Sequence, residues 1–134
     1  SQPSEFGFIW PCPGTTVITS YWGDGRNHKG LDVSGADCYG KPIVAVQDGT
    51  VTWANHSGWG GGYGLGAYIS HGNGISTRYA HMSQCLVNVG DTVKQGQVIG
   101  YIGNTGDSYG AHLHFEVRIN DVAVDALKYL PSPQ

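Results

Sequence analysis

Five side chains in this sequence have the type and spacing for metal-assisted hydrolysis. His112 and His114 stand two apart in Gly110–Val117, GAHLHFEV. In a strand, residues two apart share a face. Both imidazoles then point one way with Glu116, while Leu113, Phe115 and Val117 point the other way, into packing. A core gains nothing from two imidazoles side by side. A metal site does, because imidazole is the commonest protein ligand for zinc and its relatives. His28 and Asp32 stand four apart in HKGLD. Gly30 argues against a helix there, but on a loop running into a strand an even spacing again gives one face. The H-x-x-x-D pattern alone recurs by chance and gains weight only beside H-x-H. Two imidazoles and a carboxylate with an open fourth position is the pattern of a catalytic zinc. A structural zinc would fill all four places, often with thiolates, and no cysteine adjoins these motifs. Hydrolysis at a metal also needs groups that carry protons. His81, in YAHM, and whichever of His112 and His114 is not a ligand are suitable in type. Spacing does not choose between those two. His56, beside a loop, and His71, before Gly72, read as surface or hydrogen-bonded histidines.

Strands must position these groups. Thr15–Tyr21, Leu31–Val33, Pro42–Val46, Thr50–Ala54, Ala67–Ser70, Ser76–Ala80, Val98–Ile102, His112–Ile119 and Val122–Val124 are rich in β-branched and aromatic residues and are bounded by turn residues. Asp48-Gly49 predicts a hairpin joining Pro42–Val46 to Thr50–Ala54, and Gly72-Asn73-Gly74 predicts another. Asn120-Asp121 turns the long His112 strand into the next one. Gly23–Gly30, the glycine-rich Ser57–Gly66 and Asn104–Gly110 read as loops. Only Asp125–Leu130, DALKYL, reads as helical, and Pro131 ends it. The fold class is all-β: a small antiparallel sandwich or barrel-like domain with minimal helix near the C-terminus. Residues 1–134 read as one domain, with 1–7 loose.

Composition excludes several classes. The 134 residues carry a net charge of -3, with only 13% charged and no Lys/Arg run, which argues against a nucleic-acid partner. No apolar run is long enough for a transmembrane segment. The opening SQPSEFGF lacks the basic and apolar regions of a signal peptide, which leaves a cytosolic chain or a mature fragment of a secreted protein. Cys12, Cys38 and Cys85 form no CxxC pair. Three buried, inert thiols and one disulfide with a thiol left over are both open readings.

Taken in order, TSYWGDGRNHKGLDVSG, GKPIVAVQDGTV, STRYAHMS, VGDTVKQGQVIGYIGNTG and GAHLHFEVR resemble the lysostaphin-type zinc endopeptidases, the lysostaphin and LytM family, which cut peptidoglycan peptides. The resemblance runs from Trp10 to Leu130. It implies one Zn²⁺ per domain, with His28, Asp32 and His114 matching the family's ligands. His112 and His81 match its catalytic histidines. Trp22 matches the aromatic that lines its substrate groove. It further implies an open groove walled by the loops around Trp22, Trp59–Gly66 and Asn104–Ala111. The expected partners are peptidoglycan peptides, the expected location is extracellular or at the bacterial cell wall, and a monomer is expected. Ser108-Tyr109-Gly110-Ala111 departs from the threonine and proline usual before H-x-H, so Tyr109 would reshape one groove wall. Glu116 then becomes a carboxylate behind the ligands or at the surface.

Three rival readings differ in class. A cupin would need its glutamate four or five residues after His114, whereas Glu116 follows by two. A biotinyl or lipoyl carrier fits Val89–Ile99, but His81–Gln84 holds no lysine to modify. A non-catalytic wall-binding or amidase-activating module of the same fold would be expected to have lost ligands, and here the set is complete.

Overall fold

The computed structural model describes residues 6–131. Ten strands lie in one antiparallel sheet: β1 (Val17–Ser20), β2 (Leu31–Ser34), β3 (Pro42–Val44), β4 (Gly49–Asn55), β5 (Leu65–Gly72), β6 (Ile75–Cys85), β7 (Thr92–Val93), β8 (Val98–Ile102), β9 (Leu113–Ile119) and β10 (Val122–Val124). The main order is β1-β2-β9-β6-β5-β4-β7, with β10 added to β9. The sheet is open, with β1 and β7 at its edges. The all-β antiparallel expectation holds. Among the described residues, helix is confined to one α-turn, α1 (Asp24–Asn27), and two 3-10 turns, Gly60–Gly62 and Ala126–Lys128. The last of these falls where DALKYL predicted helix. The α-turn falls in a stretch read as loop.

Strand β6 is the branch point. Its first half pairs with β9 from Ile75↔Ile119 to Ala80↔His114. Its second half pairs with β8 from Met82↔Ile102 to Cys85↔Gly100, and β8 in turn carries β3. Alternation sorts the two faces. On one face Leu31 and Val33, Leu113, Phe115 and Val117, Thr77 and Tyr79, Ala67 and Ile69, and Val51 are all buried. They join Ile43, Met82, Ile99 and Ile102 from the second arm in one core. The opposite face presents Asp32, His114, Glu116 and Arg78 in adjacent, paired positions.

The predicted hairpin at Asp48-Gly49 is not formed. Strand β3 pairs with β8, while β4 pairs with β5 and β7. The connecting backbone is already taken up: Ala45 bonds to Gly96 and Gln97, and the Val46 carbonyl accepts from Ile9. Neither Asp48 nor Gly49 takes the positive φ that a two-residue type I′ turn needs. Gly49 serves a different purpose, since a Cβ there would lie 2.4 Å from the Ser70 carbonyl oxygen. The other two turns form as expected. Asn73 and Gly74 have φ of 54° and 78°, and Asn120 and Asp121 have φ of 52° and 64°.

The remaining histidines and the cysteines are structural. His56 Nε2 lies 2.7 Å from the Val87 carbonyl. His71 bridges the Asp48 carbonyl at 2.8 Å and Thr77 Oγ1 at 2.9 Å. All three cysteines are free and buried. Burial pushes the Cys12 thiol up to about 12, which keeps it protonated and unreactive. Of residues 1–7, residues 1–5 lie outside the described part, while Phe6 stacks on Tyr129 with ring centroids 4.7 Å apart. No helix among the described residues is long and apolar enough to cross a membrane.

Candidate metal centre

Asp32 on β2 and His114 on β9 are register partners, which sets Asp32 Oδ1 2.8 Å from His114 Nδ1. His28 follows α1 and reaches the same point. Its Nε2 lies 3.2 Å from His114 Nδ1 and 3.3 Å from Asp32 Oδ1. A tetrahedral zinc with bonds of roughly 2.0–2.1 Å separates its donors by about 3.3–3.4 Å. Two of the three edges match that spacing, and a small opening of the third suffices. The donor types, two imidazoles and a carboxylate, are those of an open zinc site. These residues therefore fit the metal the sequence implied.

Both imidazole donors are aimed from behind, as metal-binding imidazoles usually are. His28 Nδ1 lies 3.1 Å from the Tyr21 carbonyl, which fixes the ring with Nε2 forward. His114 Nε2 donates to Glu116 Oε2 at 2.7 Å, which leaves Nδ1 forward. Gly30, between the two motif residues, lets the His114 ring settle. A Cβ on Gly30 would stand 2.6 Å from His114 Cε1. That close approach explains the glycine inside HKGLD.

His81 and His112 stand beside this triad, their ring centroids 4.7 Å apart. In a regular strand His81 would join Thr77 and Tyr79 on the core face. The pairing of β6 slips at this point, between Ala67↔Tyr79 and Leu65↔Met82, and His81 adopts φ 64°. The bulge turns His81 outward and puts Met82 into the core in its place. His81 Nδ1 donates to the Thr105 carbonyl at 2.7 Å, and its backbone N–H donates to the Tyr63 carbonyl at 2.7 Å. His112 Nδ1 donates to the Gly110 carbonyl at 2.8 Å and approaches Ser108 Oγ at 3.2 Å. Its Nε2 lies 3.8 Å from Asp32 Oδ1. Each ring thus keeps Nε2 available to the cleft.

Electrostatics separate the histidines. Burial drives His81 down to about 4, against the pull of the Thr105 carbonyl. Burial also disfavours charge on His114, yet its hydrogen bonds to Asp32 and Glu116 raise it to about 9. Asp32 is held below the usual carboxylate range: burial opposes this, but the His114 hydrogen bond and the three surrounding imidazoles outweigh it. Glu116, likewise buried, is brought to about 2 by His114, Tyr63 and Arg118.

The centre forms the floor of a cleft of about 700 Å³. Its walls are Thr19, Ser20 and Lys29 on one side, Gly61, Gly62 and Tyr63 on another, and Asp107–Ala111 on a third. Tyr109 stands fully exposed at the rim. Trp22 does not line this cleft. It lies in a smaller adjoining depression with Gly23, which shares His28 and Lys29 with the main cleft. Sequence reasoning missed Tyr63 and Thr105, which fix His81 and Glu116. Both lie beside glycines in loops, and only the packing of those loops reveals them.

Residues 26–126 match the profile of Peptidase family M23. The chain belongs to peptidase family M23. It is 42% identical over 110 residues to the DD-carboxypeptidase/endopeptidase Mpg of Neisseria meningitidis, covering 81% of this chain and 24% of Mpg. It is 38% identical over 122 residues to the murein hydrolase activator NlpD of Escherichia coli, covering 91% of this chain and 31% of NlpD. The M23 chain thus spans about a quarter to a third of these relatives. Among solved structures, a zinc-containing peptidase from Vibrio cholerae superposes with a TM-score of 0.80 at 34% identity, covering 92% of this chain and 40% of that one. The antimicrobial peptidase lysostaphin from Staphylococcus simulans gives a TM-score of 0.73 at 31% identity, over 84% and 48%. The lysostaphin-type resemblance and the open antiparallel fold are both supported by these similarities.

Proposed function

We propose that this M23 domain is a zinc-dependent endopeptidase that hydrolyses peptide cross-links or stem peptides of bacterial peptidoglycan. The observation that carries this reading is the convergence of His28 Nε2, Asp32 Oδ1 and His114 Nδ1 at near-tetrahedral spacing on the floor of an open cleft. Those three residues would hold Zn²⁺. Bound there, the ion supplies Lewis acidity, polarising a scissile carbonyl and lowering the pKa of water.

The chain's own groups do the rest. His81 is neutral at pH 7, with its proton on the nitrogen that faces Thr105. Its Nε2 lone pair can take a proton from the attacking water and return it to the leaving amine. His112, oriented in the same way by Gly110, presents a second Nε2 to the cleft, which in the imidazolium form carries a proton to donate to the reacting carbonyl oxygen. The glycine-lined wall suits an extended peptide backbone, and Trp22 extends the binding surface beyond His28. Activity on the wall places the protein outside the cytoplasm, acting as a monomer on peptidoglycan peptides.

The similarity to NlpD supports a second reading, an amidase-activating module of the same fold. The complete donor set and the two oriented histidines favour catalysis. Digestion of purified muropeptides, with products read by mass spectrometry, tests the choice. Zinc-loaded protein should release cleaved peptides, and His114→Ala should not. A zinc-loaded protein that leaves all muropeptides intact would give way to the activator reading, and one that cleaves equally well without His114 would overturn the ligand assignment.

A further inference from the structure

We propose that Tyr63 is a positioning residue that couples the glycine-rich wall of the cleft to the metal ligand His114 by way of Glu116. The inference rests on the reading of His114 as a ligand. Glu116 is 2% exposed, and a buried carboxylate needs partners for both oxygens. Oε1 receives Arg118, from Nε at 2.9 Å and Nη2 at 2.8 Å. Oε2 receives two donors at once: His114 Nε2 at 2.7 Å and the Tyr63 hydroxyl at 2.7 Å. The Tyr63 hydroxyl is itself oriented by Arg78 Nη1 at 3.2 Å. Arg78 in turn lies over Tyr68, with its guanidinium carbon 4.0 Å from the ring centre. The direction of the His114 ring is therefore set by an oxygen whose own place is fixed from the loop side.

The loop that delivers Tyr63 is built to hold it there. Gly64 and Gly106 both have positive φ, and their backbones interlock. A Cβ on Gly64 would lie 2.5 Å from Thr105, and one on Gly106 would lie 2.4 Å from the Gly64 nitrogen. The Asp107 N–H closes the contact on the Gly62 carbonyl at 2.8 Å. Tyr63 thus emerges from a clamp that no side chain could enter. Its backbone carbonyl meets His81 N–H while its hydroxyl meets Glu116. One residue of the cleft wall touches the supports of both the ligand and the candidate base. Gly61 and Gly62, immediately before it, line the cleft. A peptide lying along that wall bears directly on the segment that aims His114.

The test compares Tyr63→Phe and Glu116→Gln with wild type, using Tyr68→Phe as a neighbour that does not touch Glu116. Zinc affinity is read by chelator competition. The geometry of the site is read from the visible spectrum of the Co²⁺-substituted protein, and the stability of each zinc-free protein by thermal unfolding. Partners behind a ligand are typically worth about 10–100-fold in metal affinity. Glu116→Gln should fall in that range, and Tyr63→Phe should weaken zinc several-fold and shift the cobalt bands. Tyr68→Phe should do neither. Zinc affinity within twofold of wild type and an unchanged cobalt spectrum in Tyr63→Phe would overturn the proposal, as would an equal loss in Tyr68→Phe. Should Glu116→Gln fail to fold, Tyr63→Phe decides alone. None of these readings uses hydrolysis. A wild type that binds zinc without cleaving muropeptides removes the peptidase reading and leaves this one standing. A wild type that binds no zinc removes both.

Discussion

Asp32 and His114 are directly opposed partners across β2 and β9, and their side chains meet at 2.8 Å. The register that builds the sheet therefore also builds two corners of the candidate metal centre. His28 needs only to fold over from α1 to complete it. Because the carboxylate supplies one donor and most of the negative charge, Asp32→Asn should abolish stoichiometric zinc. The loss should exceed the roughly 10–100-fold that a supporting partner is worth. Zinc content of the purified variant by mass spectrometry checks this, with His28→Ala expected to behave alike.

Gly30→Ala should act at a distance of one atom. The new methyl would sit 2.6 Å from His114 Cε1 and 2.7 Å from the Phe115 carbonyl. The second neighbour is backbone in a central strand and cannot retreat, so the imidazole must. Overpacking of this kind costs about 1–3 kcal/mol. Urea unfolding should show that loss. The variant's zinc affinity should fall further than its stability alone explains, because the ring that moves is the proposed ligand.

His81→Ala and His112→Ala should part binding from turnover. Neither ring is needed to close the donor triangle of His28, Asp32 and His114. Both variants are expected to keep one zinc per chain while kcat/KM on a defined muropeptide drops about 10²–10⁴-fold, the range typical for a proton carrier. Loss of zinc from His112→Ala would transfer the ligand role to that residue.

Much of this centre was legible as spacing. H-x-H on a strand puts two imidazoles on one face whatever the fold, and HKGLD brings a histidine and an aspartate to one point. Spacing left His112 and His114 equivalent, and the family resemblance named His114 as the ligand. In the structure the difference is one of neighbours. His114 lies opposite Asp32 inside the ladder, while His112 sits one step beyond β9, bridged only to Gly103. His81 could not be placed by periodicity, because the bulge at φ 64° reverses the face that alternation assigns it. Asp48-Gly49 misled for a related reason. A dipeptide reports local turn preference, and here the flanking backbone is committed to Gln97, Gly96 and Ile9, far away in sequence. For Glu116 the resemblance left two places open, behind the ligands or at the surface, and Tyr63 and Arg118 hold it behind His114.

The opposed pKa values of the histidines predict a pH optimum for the stability of the zinc-free protein. His114 is raised from 6.5 to about 9 in the fold, so its contribution is complete below pH 6.5 and is lost as pH climbs to about 9. His81 is lowered from 6.5 to about 4, so its contribution is complete above pH 6.5 and is lost as pH falls toward 4. Glu116, lowered from 4.5 to about 2, adds stability above pH 4.5 that disappears toward pH 2. The chelator-treated protein should therefore have its highest melting temperature near pH 6.5 and fall on both sides. Zinc reverses the alkaline limb. A metal can bind His114 only after Nδ1 gives up its proton, so zinc affinity should weaken about tenfold for each pH unit below 9. The melting-temperature gap between zinc-loaded and zinc-free protein should accordingly widen from pH 6.5 to pH 9. Thermal scans at half-unit intervals measure both curves. A gap that stayed constant or narrowed over that range would show that no ion displaces the His114 proton.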